Sequence, residues 1–356
     1  MRIDFRVPEN LNSNDSLLYL AGDFNNWKPN DLRYQFKNQA GGIWNLEVSI
    51  PKGQHEFKLT KGDWNNVECD KDGKSISNRT INISKDTSIH LLVANFKDFT
   101  SNESIKSTCS VNVSRLKSTA HMSYLALDRN VWIYLPPSYE KSNKRYPVIY
   151  MQDGQNLFDT KTSSYGEWGV DELLDSLSKT KKGECIVLGV EHNGANRLTE
   201  YNPFDSKFGK GTGDDYIDFI ANTLKPYIDK KYRTLTEVKY TTIAGSSMGG
   251  LIAMYAIAKY PKVFGNAGVF SPSFWIAPRI YDFIDQQKLK NSRIYFVAGA
   301  HESEDMANDM EKMYRLLLKA GISQRDMKLV IKEDGKHSEW FWHREFPSFI
   351  DWLRRQ

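Results

Sequence analysis

A short run of glycine and serine residues in the middle of the chain has the spacing of a nucleophile on a tight turn. The run is Gly245-Ser246-Ser247-Met248-Gly249, and it lies between an apolar stretch, Tyr240 to Ala244, and a helix-like stretch, Gly250 to Lys259. A serine between a strand and a helix has a strained backbone that exposes its hydroxyl group, and the glycines let neighbouring chain approach closely. We therefore expect Ser247 to be a nucleophile and the backbone N–H of Met248 to face a developing oxyanion.

A serine hydroxyl needs a general base and a carboxylate that orients this base. Three histidines follow Ser247 in the chain: His301, His337 and His343. His337 is the best placed, because it follows the last predicted strand and precedes the terminal helix. His343 lies six residues further on, rotated by about 240° on a helix, so we interpret it as a packing residue.

The carboxylate is expected directly after another strand, because the carboxyl ends of parallel strands meet at one edge of a sheet. Glu302 follows the apolar strand Ile294 to Ala298 and is our candidate. Glu304 and Asp305 are close enough to compete with it. Asp305 precedes a helical segment and has the position of its N-terminal cap.

A second oxyanion donor is expected after an early strand of the same sheet. The segment Met151-Gln152-Asp153-Gly154-Gln155-Asn156 follows such a strand, and its glycine turn can direct a backbone N–H across the site. The candidate donor is Gln155 N–H, acting together with Met248 N–H.

The elements that must position these residues alternate between strands and helices from about residue 106 onwards, which predicts an α/β fold. One long amphipathic helix is predicted over Asp305 to Ala320, with Gly321 at its C-terminal cap. The predicted strands are Val131 to Leu135, Val148 to Met151, Cys185 to Val190, Tyr240 to Ala244, Ile294 to Ala298 and Lys328 to Lys332.

The first part of the chain has a different pattern, with short β-type runs separated by Gly, Asn and Asp turns. It predicts a small all-β sandwich over residues 1–105, and residues 106–356 then form the α/β domain. The residues between Asn95 and about Thr119 are polar and predict a linker. The predicted strands of the sandwich are Leu17 to Ala21, Ile43 to Ile50, Glu56 to Leu59, Thr80 to Ile83 and Ser88 to Val93.

The composition excludes some classes of protein. The 356 residues are 40% apolar and 26% charged, typical of a globular protein, and a net charge of +4 without a basic stripe argues against nucleic-acid binding. No run of about 18 apolar residues predicts a membrane span, and no signal peptide is visible. We expect a cytoplasmic location, or a periplasmic or secreted one if a signal has been removed.

Cysteines and histidines give no sign of a metal site or a disulfide framework. Cys69, Cys109 and Cys185 are widely spaced, and the histidines lack metal-ligand spacing. The expected chemistry requires neither a metal nor a cofactor.

Several motifs in the same order resemble the esterase D or putative esterase family, which includes feruloyl, acetyl-xylan and enterochelin esterases. The resemblance covers about residues 115 to 355 and implies an α/β-hydrolase fold. The matching stretches are Trp132-Ile133-Tyr134-Leu135-Pro136-Pro137, Tyr150 to Phe158, Glu167-Trp168-Gly169-Val170-Asp171-Glu172, Glu200-Tyr201-Asn202-Pro203, the glycine-serine run and Ser271-Pro272-Ser273-Phe274-Trp275.

By this resemblance Ser247 is the nucleophile, Glu302 the acid and His337 the base, and Gln155 with Met248 forms the oxyanion hole. The chain departs from the family pattern at Glu302, where many members have aspartate, and at Gln152, where similar sequences often have histidine. Four further residues are candidates for contact with substrate: Asp153, Arg197, Tyr201 and Trp275. For Asp153, a structural role as a hydrogen-bond and ion-pair partner is the alternative, and Glu200 is open to the same interpretation.

The first domain resembles the glycogen- and starch-binding type of carbohydrate module, which implies an immunoglobulin-like sandwich. The resemblance rests on Leu20 to Trp27, Gly53 to Leu59 and Trp64. In that family the positions of Trp27 and Trp64 form a platform under sugar rings, with a lysine at the position of Lys58. The alternative is a domain that acts as a spacer, a lid or the surface of a homodimer.

Three functional hypotheses follow from these observations. The first is a serine esterase that removes acetyl or hydroxycinnamoyl groups from carbohydrate through an acyl-enzyme. The second is a siderophore-type triester hydrolase of the enterochelin esterase kind, with Arg197 and Lys336 near an anionic substrate. The third is a glycan-binding protein that retains the hydrolase domain as a scaffold.

Overall fold

The computed structural model describes residues 2–6, 17–39, 43–71, 73, 76–97, 106–116, 129–163, 165–180, 183–303 and 305–355. The backbone contacts divide the chain into two compact units. The first unit comprises Met1–Ile105 with Ser164–Gly166, and the second comprises Lys106–Ser163 with Glu167–Gln356. Glu304, one of the alternative acids, lies outside the described residues.

The first unit is built from short strands joined by turns. Its described strands form sheets in the orders β3-β4-β1-β8, β2-β5-β7 and β6-β9. Apolar side chains such as Ile3, Leu20, Trp44 and Phe57 are buried between the strands. The strands are β1 (Arg2–Arg6), β2 (Tyr19–Gly22), β3 (Lys37–Gln39), β4 (Ile43–Glu47), β5 (Gly53–Thr60), β6 (Glu68–Cys69), β7 (Arg79–Ile83), β8 (Ser88–Leu92) and β9 (Asn95–Phe96).

The second unit contains an eight-stranded sheet in the order β10-β11-β13-β12-β14-β15-β16-β17. Strand β11 runs antiparallel to both of its neighbours, and all strands from β13 to β17 are parallel to one another. The strands are β10 (Val113–Arg115), β11 (Val131–Tyr134), β12 (Val148–Gln152), β13 (Ile186–Val190), β14 (Thr241–Ser246), β15 (Asn266–Phe270), β16 (Arg293–Gly299) and β17 (Met327–Lys332).

Helices cover both faces of this sheet, and this confirms the predicted α/β class. Helices α1 and α8 pack on one face around Trp168 and Phe349, and α3 to α7 pack on the other face around Leu251 and Ile294. The helices are α1 (Val170–Ser178), α2 (Arg197–Glu200), α3 (Gly213–Asp218), α4 (Lys225–Lys231), α5 (Met248–Lys259), α6 (Arg279–Asp285), α7 (Met306–Lys319) and α8 (Glu339–Leu353).

The second half of the predicted linker is wrong, because residues 106–116 are part of the second unit. Ser107 Oγ donates to Asp159 Oδ2 at 2.7 Å, and Ser110 N donates to Asp171 Oδ2 at 2.7 Å. Strand β10 then joins the sheet beside β11. The polar side chains of Ser107 and Ser110 bind carboxylates of the second unit.

None of the helices in the described parts of the chain has the length and apolar character that a membrane crossing requires.

Candidate active site

Ser247 lies on the turn between β14 and α5, at the carboxyl edge of the sheet. Its φ of 58° and ψ of −121° are strained for a residue with a side chain, at a cost of about 1 to 3 kcal/mol. The main chain holds it there, since Ser247 N donates to Phe270 O at 2.9 Å. Gly245 allows the Gln152 side chain to approach this turn closely, because a Cβ atom on residue 245 would lie 2.6 Å from Gln152 Oε1.

Ser273 is a neighbour of Ser247, and the sequence analysis assigns it no role. Its Oγ lies 3.1 Å from Ser247 Oγ, and its backbone N–H donates to Ser247 O at 3.1 Å. The short loop after β15 therefore holds the hydroxyl and the main chain of Ser247 together. The run Ser271-Pro272-Ser273 was the available signal in the sequence.

Glu302 and His337 form a close pair at the ends of β16 and β17. Nδ1 of His337 lies 2.8 Å from Glu302 Oε2. The other carboxylate oxygen, Oε1, accepts hydrogen bonds from Ser271 Oγ at 2.7 Å and from Gly299 N at 2.6 Å. The Glu302 side chain has no exposed surface, whereas 36% of the His337 side chain is exposed. A fixed carboxylate thus orients an accessible imidazole.

Trp342 of helix α8 contacts this pair. Trp342 Nε1 donates to Ser271 Oγ at 2.9 Å, so Ser271 connects the indole group to Glu302. The Trp342 ring also meets the His337 ring edge-on, with centroids 5.2 Å apart. Trp168 packs on Trp342 in turn, at 5.9 Å. Helix α8 thereby fixes the orientation of the imidazole through packing and through one hydrogen bond.

Two glycines bring the Glu302 and His337 loops into backbone contact. A Cβ atom on Gly299 would collide with the carbonyl of Gly335, and a Cβ atom on Gly335 would lie 2.6 Å from Gly299 Cα. Gly299 is three residues before Glu302, and Gly335 is two residues before His337. This approach sets the separation between the two side chains.

The structure places the other two candidate histidines and Asp305 away from this pair. His301 is exposed and faces the exposed Glu333, with Nε2 3.3 Å from Oε2. His343 is exposed on α8, where its ring lies against Gly169. Asp305 occupies the N-cap position of α7, as predicted, but Ser303 Oγ accepts the hydrogen bond from Met306 N.

The turn after β12 lies against the first residues of α5. A Cβ atom on Gly249 would be 3.2 Å from Gln152 Cβ and 3.4 Å from Asp153 Oδ2. Among the turn, loop and cap hydrogen bonds of the described residues, neither Gln155 N–H nor Met248 N–H is a donor. Met248 directly follows Ser247 as the first residue of α5, so its backbone N–H lies next to the Ser247 turn.

Gln152, where similar sequences often have histidine, is buried beside the turn that carries Ser247. Its side chain lies against Gly245 and Gly249. Among the described residues, neither its amide nitrogen nor its amide oxygen has a hydrogen-bond partner. The amide is a polar group at the floor of the site, where a bound ligand or water can pair with it.

Asp153, Arg197 and Tyr201 form a hydrogen-bonded group behind the turn. Arg197 binds Asp153 through both oxygens, with Nε to Oδ1 and Nη2 to Oδ2 at 2.7 Å each. Burial disfavours ionisation of Asp153, but the Arg197 charge and its hydrogen bonds outweigh this effect and lower the pKa. Tyr201 has no exposed surface, so its predicted contact with substrate is wrong; its hydroxyl instead accepts from Asp153 N at 3.2 Å.

Two further titratable residues near this group are absent from the sequence-based site. Burial raises the pKa of Glu339 to about 7, and the charge of Asp153 adds to this, whereas His337 and Arg197 oppose it. Burial lowers the pKa of His192 to about 4, which keeps its imidazole neutral. The charges of both Asp153 and His337 thus reach Glu339, the first residue of α8.

Trp275 is the exposed aromatic residue of the predicted set. Its side chain is 52% exposed, and its ring packs edge-on against Phe208, with centroids 6.4 Å apart. It follows Ser273 by two residues, so it lies on the loop that contacts the nucleophile. A flat apolar face is available to a ligand there.

The first unit contains the three candidates for sugar binding. The rings of Trp27 and Trp64 are partly buried, with centroids 6.2 Å apart and planes tilted by 44°. Lys58 is buried, and its ammonium group donates to the carbonyl of Ile76. The predicted sugar contact of Lys58 is therefore wrong, because a buried ammonium group that binds the main chain has no surface for a sugar.

A comparison with known protein families agrees with this geometry. The sequence profile described as "Putative esterase" matches residues 123–349, which include the Ser247 turn, Glu302 and His337. The chain belongs to the putative esterase family. The protein is accordingly an ester hydrolase of the serine type.

Relatives of this esterase span several activities. The uncharacterized protein YbbA of Bacillus subtilis is 29% identical over 245 residues, which are 64% of this chain and 92% of YbbA. The endo-1,4-beta-xylanase/feruloyl esterase of Xylanibacter ruminicola is 26% identical over 60% of this chain and 27% of its own length. The crystal structure of enterochelin esterase from Shigella flexneri has the same fold, with a TM-score of 0.57, 15% identity, and coverage of 99% of this chain and 92% of that chain.

Proposed function

We propose that the esterase cleaves acetyl or hydroxycinnamoyl esters of carbohydrate through an acyl-enzyme on Ser247. The observation that carries the proposal is the pair of Glu302 and His337, 2.8 Å apart, at the sheet edge that presents Ser247 on a strained, partly buried turn. His337 is the base, Glu302 the orienting acid, and the N–H groups of Gln155 and Met248 are the oxyanion donors.

The chemistry follows from these roles. Ser247 Oγ forms a bond to the acyl carbon while His337 takes its proton, and the carbonyl oxygen becomes an oxyanion that accepts from Gln155 N–H and Met248 N–H. The ester C–O bond then breaks, and the alcohol leaves with the proton held by His337. Water then adds to the acyl carbon while His337 takes its proton. The bond between the acyl carbon and Ser247 Oγ breaks, Oγ recovers the proton from His337, and the acid is released.

The charges around the site favour a neutral ester over a polyanionic one. Arg197, the cation beside the oxyanion turn, is neutralised by Asp153 through two hydrogen bonds. Glu302 and Glu339 add further acidic groups beside His337. Arg197 therefore offers a polyanionic iron-catecholate complex no unneutralised charge, and a neutral sugar ester needs none.

Trp275 supports the choice of an aromatic acyl group or a sugar. Its half-exposed ring lies on the loop that contacts Ser247. Flat aromatic faces stack on hydroxycinnamoyl rings and on the C–H faces of sugars. Loss of this ring is expected to raise KM for ferulate esters more than for acetate esters.

The first unit is proposed to be an immunoglobulin-like sandwich that binds sugar through Trp27 and Trp64. Trp27 has a φ of 56°, an unusual conformation for a bulky residue, which is typical of functional positions. Its backbone N–H is fixed to Gly22 O at 2.8 Å. The division of the chain at residue 105 supports a two-domain organisation of this kind.

One experiment tests the substrate class. The purified enzyme is incubated with acetylated xylan oligomers, methyl ferulate and a catecholate trilactone, and the released acids are quantified by mass spectrometry. The Ser247→Ala variant is the blank. Serine-dependent release of acetate or ferulate supports the proposal, and selective opening of the trilactone would replace it with a siderophore esterase.

A further inference from the structure

Asp153 has a backbone conformation that needs external support. It is a residue with a side chain, yet its φ of 56° and ψ of 46° lie in the left-handed region. It begins the turn that carries Gln155, and Asn156 N closes this turn on Asp153 O at 2.8 Å. Any relaxation of Asp153 would therefore change the direction of Gln155 N–H.

Three further hydrogen bonds join Asp153 to one short segment, Arg197 to Tyr201. Arg197 grips both carboxylate oxygens at 2.7 Å, and the Tyr201 hydroxyl accepts from Asp153 N at 3.2 Å. The Arg197 guanidinium group also lies over the Tyr201 ring, 5.2 Å from its centroid. Side chain and backbone of Asp153 are thus fixed by α2 and the residue that follows it.

Helix α2 is itself anchored at its other end. Glu200 forms a buried ion pair with Arg129, and its second oxygen accepts from Asn193 N at 3.0 Å. Both charged side chains are at most 5% exposed. A four-residue helix has little stability of its own, so this anchor is what makes α2 a fixed support.

We propose that Arg197, together with Tyr201, is a positioning residue that holds Asp153 in its left-handed conformation and thereby aims Gln155 N–H at the oxyanion. The planar guanidinium fork is suited to this role, because it fixes both oxygens of a carboxylate in one orientation and a lysine cannot. The inference rests on the proposed oxyanion role of Gln155, and it does not depend on the identity of the acyl group or of the alcohol.

The test uses the enzyme and p-nitrophenyl acetate, a small activated ester whose acetyl group belongs to the proposed substrate class. The variants are Arg197→Ala and Arg197→Lys. Because a misplaced oxyanion donor costs about 10- to 100-fold in rate, we expect kcat to fall by about that factor in both variants while KM changes by less than about twofold. Guanidinium ions at tens of millimolar are expected to fill the cavity of Arg197→Ala and to restore kcat about tenfold.

The matched control is Arg33→Ala in the first unit. Arg33 grips Asp31 through the same kind of fork, with Nε to Oδ1 at 3.1 Å and Nη2 to Oδ2 at 2.6 Å. The kcat of Arg33→Ala is expected to equal that of the wild type, with or without guanidinium. An unchanged kcat in Arg197→Ala, or a higher KM with the same kcat, would overturn the inference, since the latter marks a substrate contact.

Tyr201→Phe keeps the test decisive if Arg197→Ala does not fold. The substitution keeps the ring in the core and removes only the hydroxyl that Asp153 N contacts. A lower kcat with unchanged KM and an unchanged melting temperature supports the positioning role, and an unchanged kcat overturns it. Absence of aryl ester hydrolysis by the wild type would instead refute the proposed function, so the two failures are distinguishable.

Discussion

Glu302 divides its two carboxylate oxygens between two tasks: Oε2 lies 2.8 Å from His337 Nδ1, and Oε1 is held by Ser271 Oγ and Gly299 N. The glutamate side chain has the length to reach both the imidazole and these two donors. The carboxylate is therefore fixed before substrate binds, which is the preorganisation that a catalytic pair requires.

Substitution of Glu302 tests its role as the acid. Glu302→Gln keeps the shape and removes the charge that stabilises the imidazolium, so we expect kcat/KM for p-nitrophenyl acetate to fall by about 10³- to 10⁴-fold. Glu302→Asp keeps the charge but retracts it by one methylene, and the loss should be smaller. Glu333→Gln, which changes an exposed carboxylate beside His301, is the control. Equal activity of Glu302→Gln and the wild type would exclude Glu302 as the acid.

The contact between Gly299 and Gly335 gives a second test, of geometry alone. Gly335→Ala introduces a Cβ atom 2.6 Å from Gly299 Cα, so the two loops must separate. We expect kcat to fall by about 10-fold or more, because catalytic pairs tolerate little displacement. The melting temperature should also decrease. Lys336→Ala changes the exposed neighbouring residue and should retain full activity; if both variants behave alike, the glycine contact does not set the geometry.

Local sequence pattern is sufficient to select Ser247, Glu302 and His337 as candidates, since each lies between a strand of the α/β sheet and the helix that follows it. It is insufficient for Ser271, Ser273 and Trp342. These residues reach the site from a separate strand and from the last helix, and no spacing along the chain records such contacts. The position of a serine in three dimensions decides whether it supports a catalytic residue.

Strands β15 and β3 lack a strand-like sequence pattern, and each lacks it for a physical reason. Strand β15 contains Gly268, which is small because a Cβ atom there would lie 2.6 Å from the Phe349 ring. The packing of α8 therefore selects a residue with low strand propensity. In the first unit, β3 consists of Lys37, Asn38 and Gln39, all exposed, so it has no apolar alternation. Lys58 differs from these exposed residues, because the fold buries it although its residue type predicts a surface position.

Asp171 gives the enzyme a pH-dependent stability. Its side chain has no exposed surface, and burial together with the neighbouring Glu172 raises the pKa of its carboxyl group. A raised pKa means that the folded state holds a proton which the unfolded state releases near pH 4, so the contribution of Asp171 to stability is fully present at low pH and falls as the pH rises. Asp171→Asn keeps the acceptor for Ser110 N and removes this proton.

Urea unfolding at a series of pH values measures this effect. Between about pH 4 and pH 8 we expect the unfolding free energy of the wild type to fall relative to that of Asp171→Asn. The control Asp215→Asn changes an exposed aspartate of α3 and should follow the wild type. Parallel curves for wild type and Asp171→Asn would show that Asp171 ionises normally in the folded protein.

The aromatic pair of the first unit can be tested without reference to catalysis. Trp27 and Trp64, with ring centroids 6.2 Å apart, offer two apolar faces of the kind that bind sugar rings. We expect Trp27→Ala and Trp64→Ala each to lower retention on a starch-containing native gel by about 10-fold in affinity, while the rate with p-nitrophenyl acetate stays unchanged. Leu92→Ala removes another exposed apolar side chain of the same unit and should keep wild-type retention. Equal migration of all four proteins in the presence and absence of starch would assign the first unit a role other than starch binding, because a platform that binds sugar must slow the wild type.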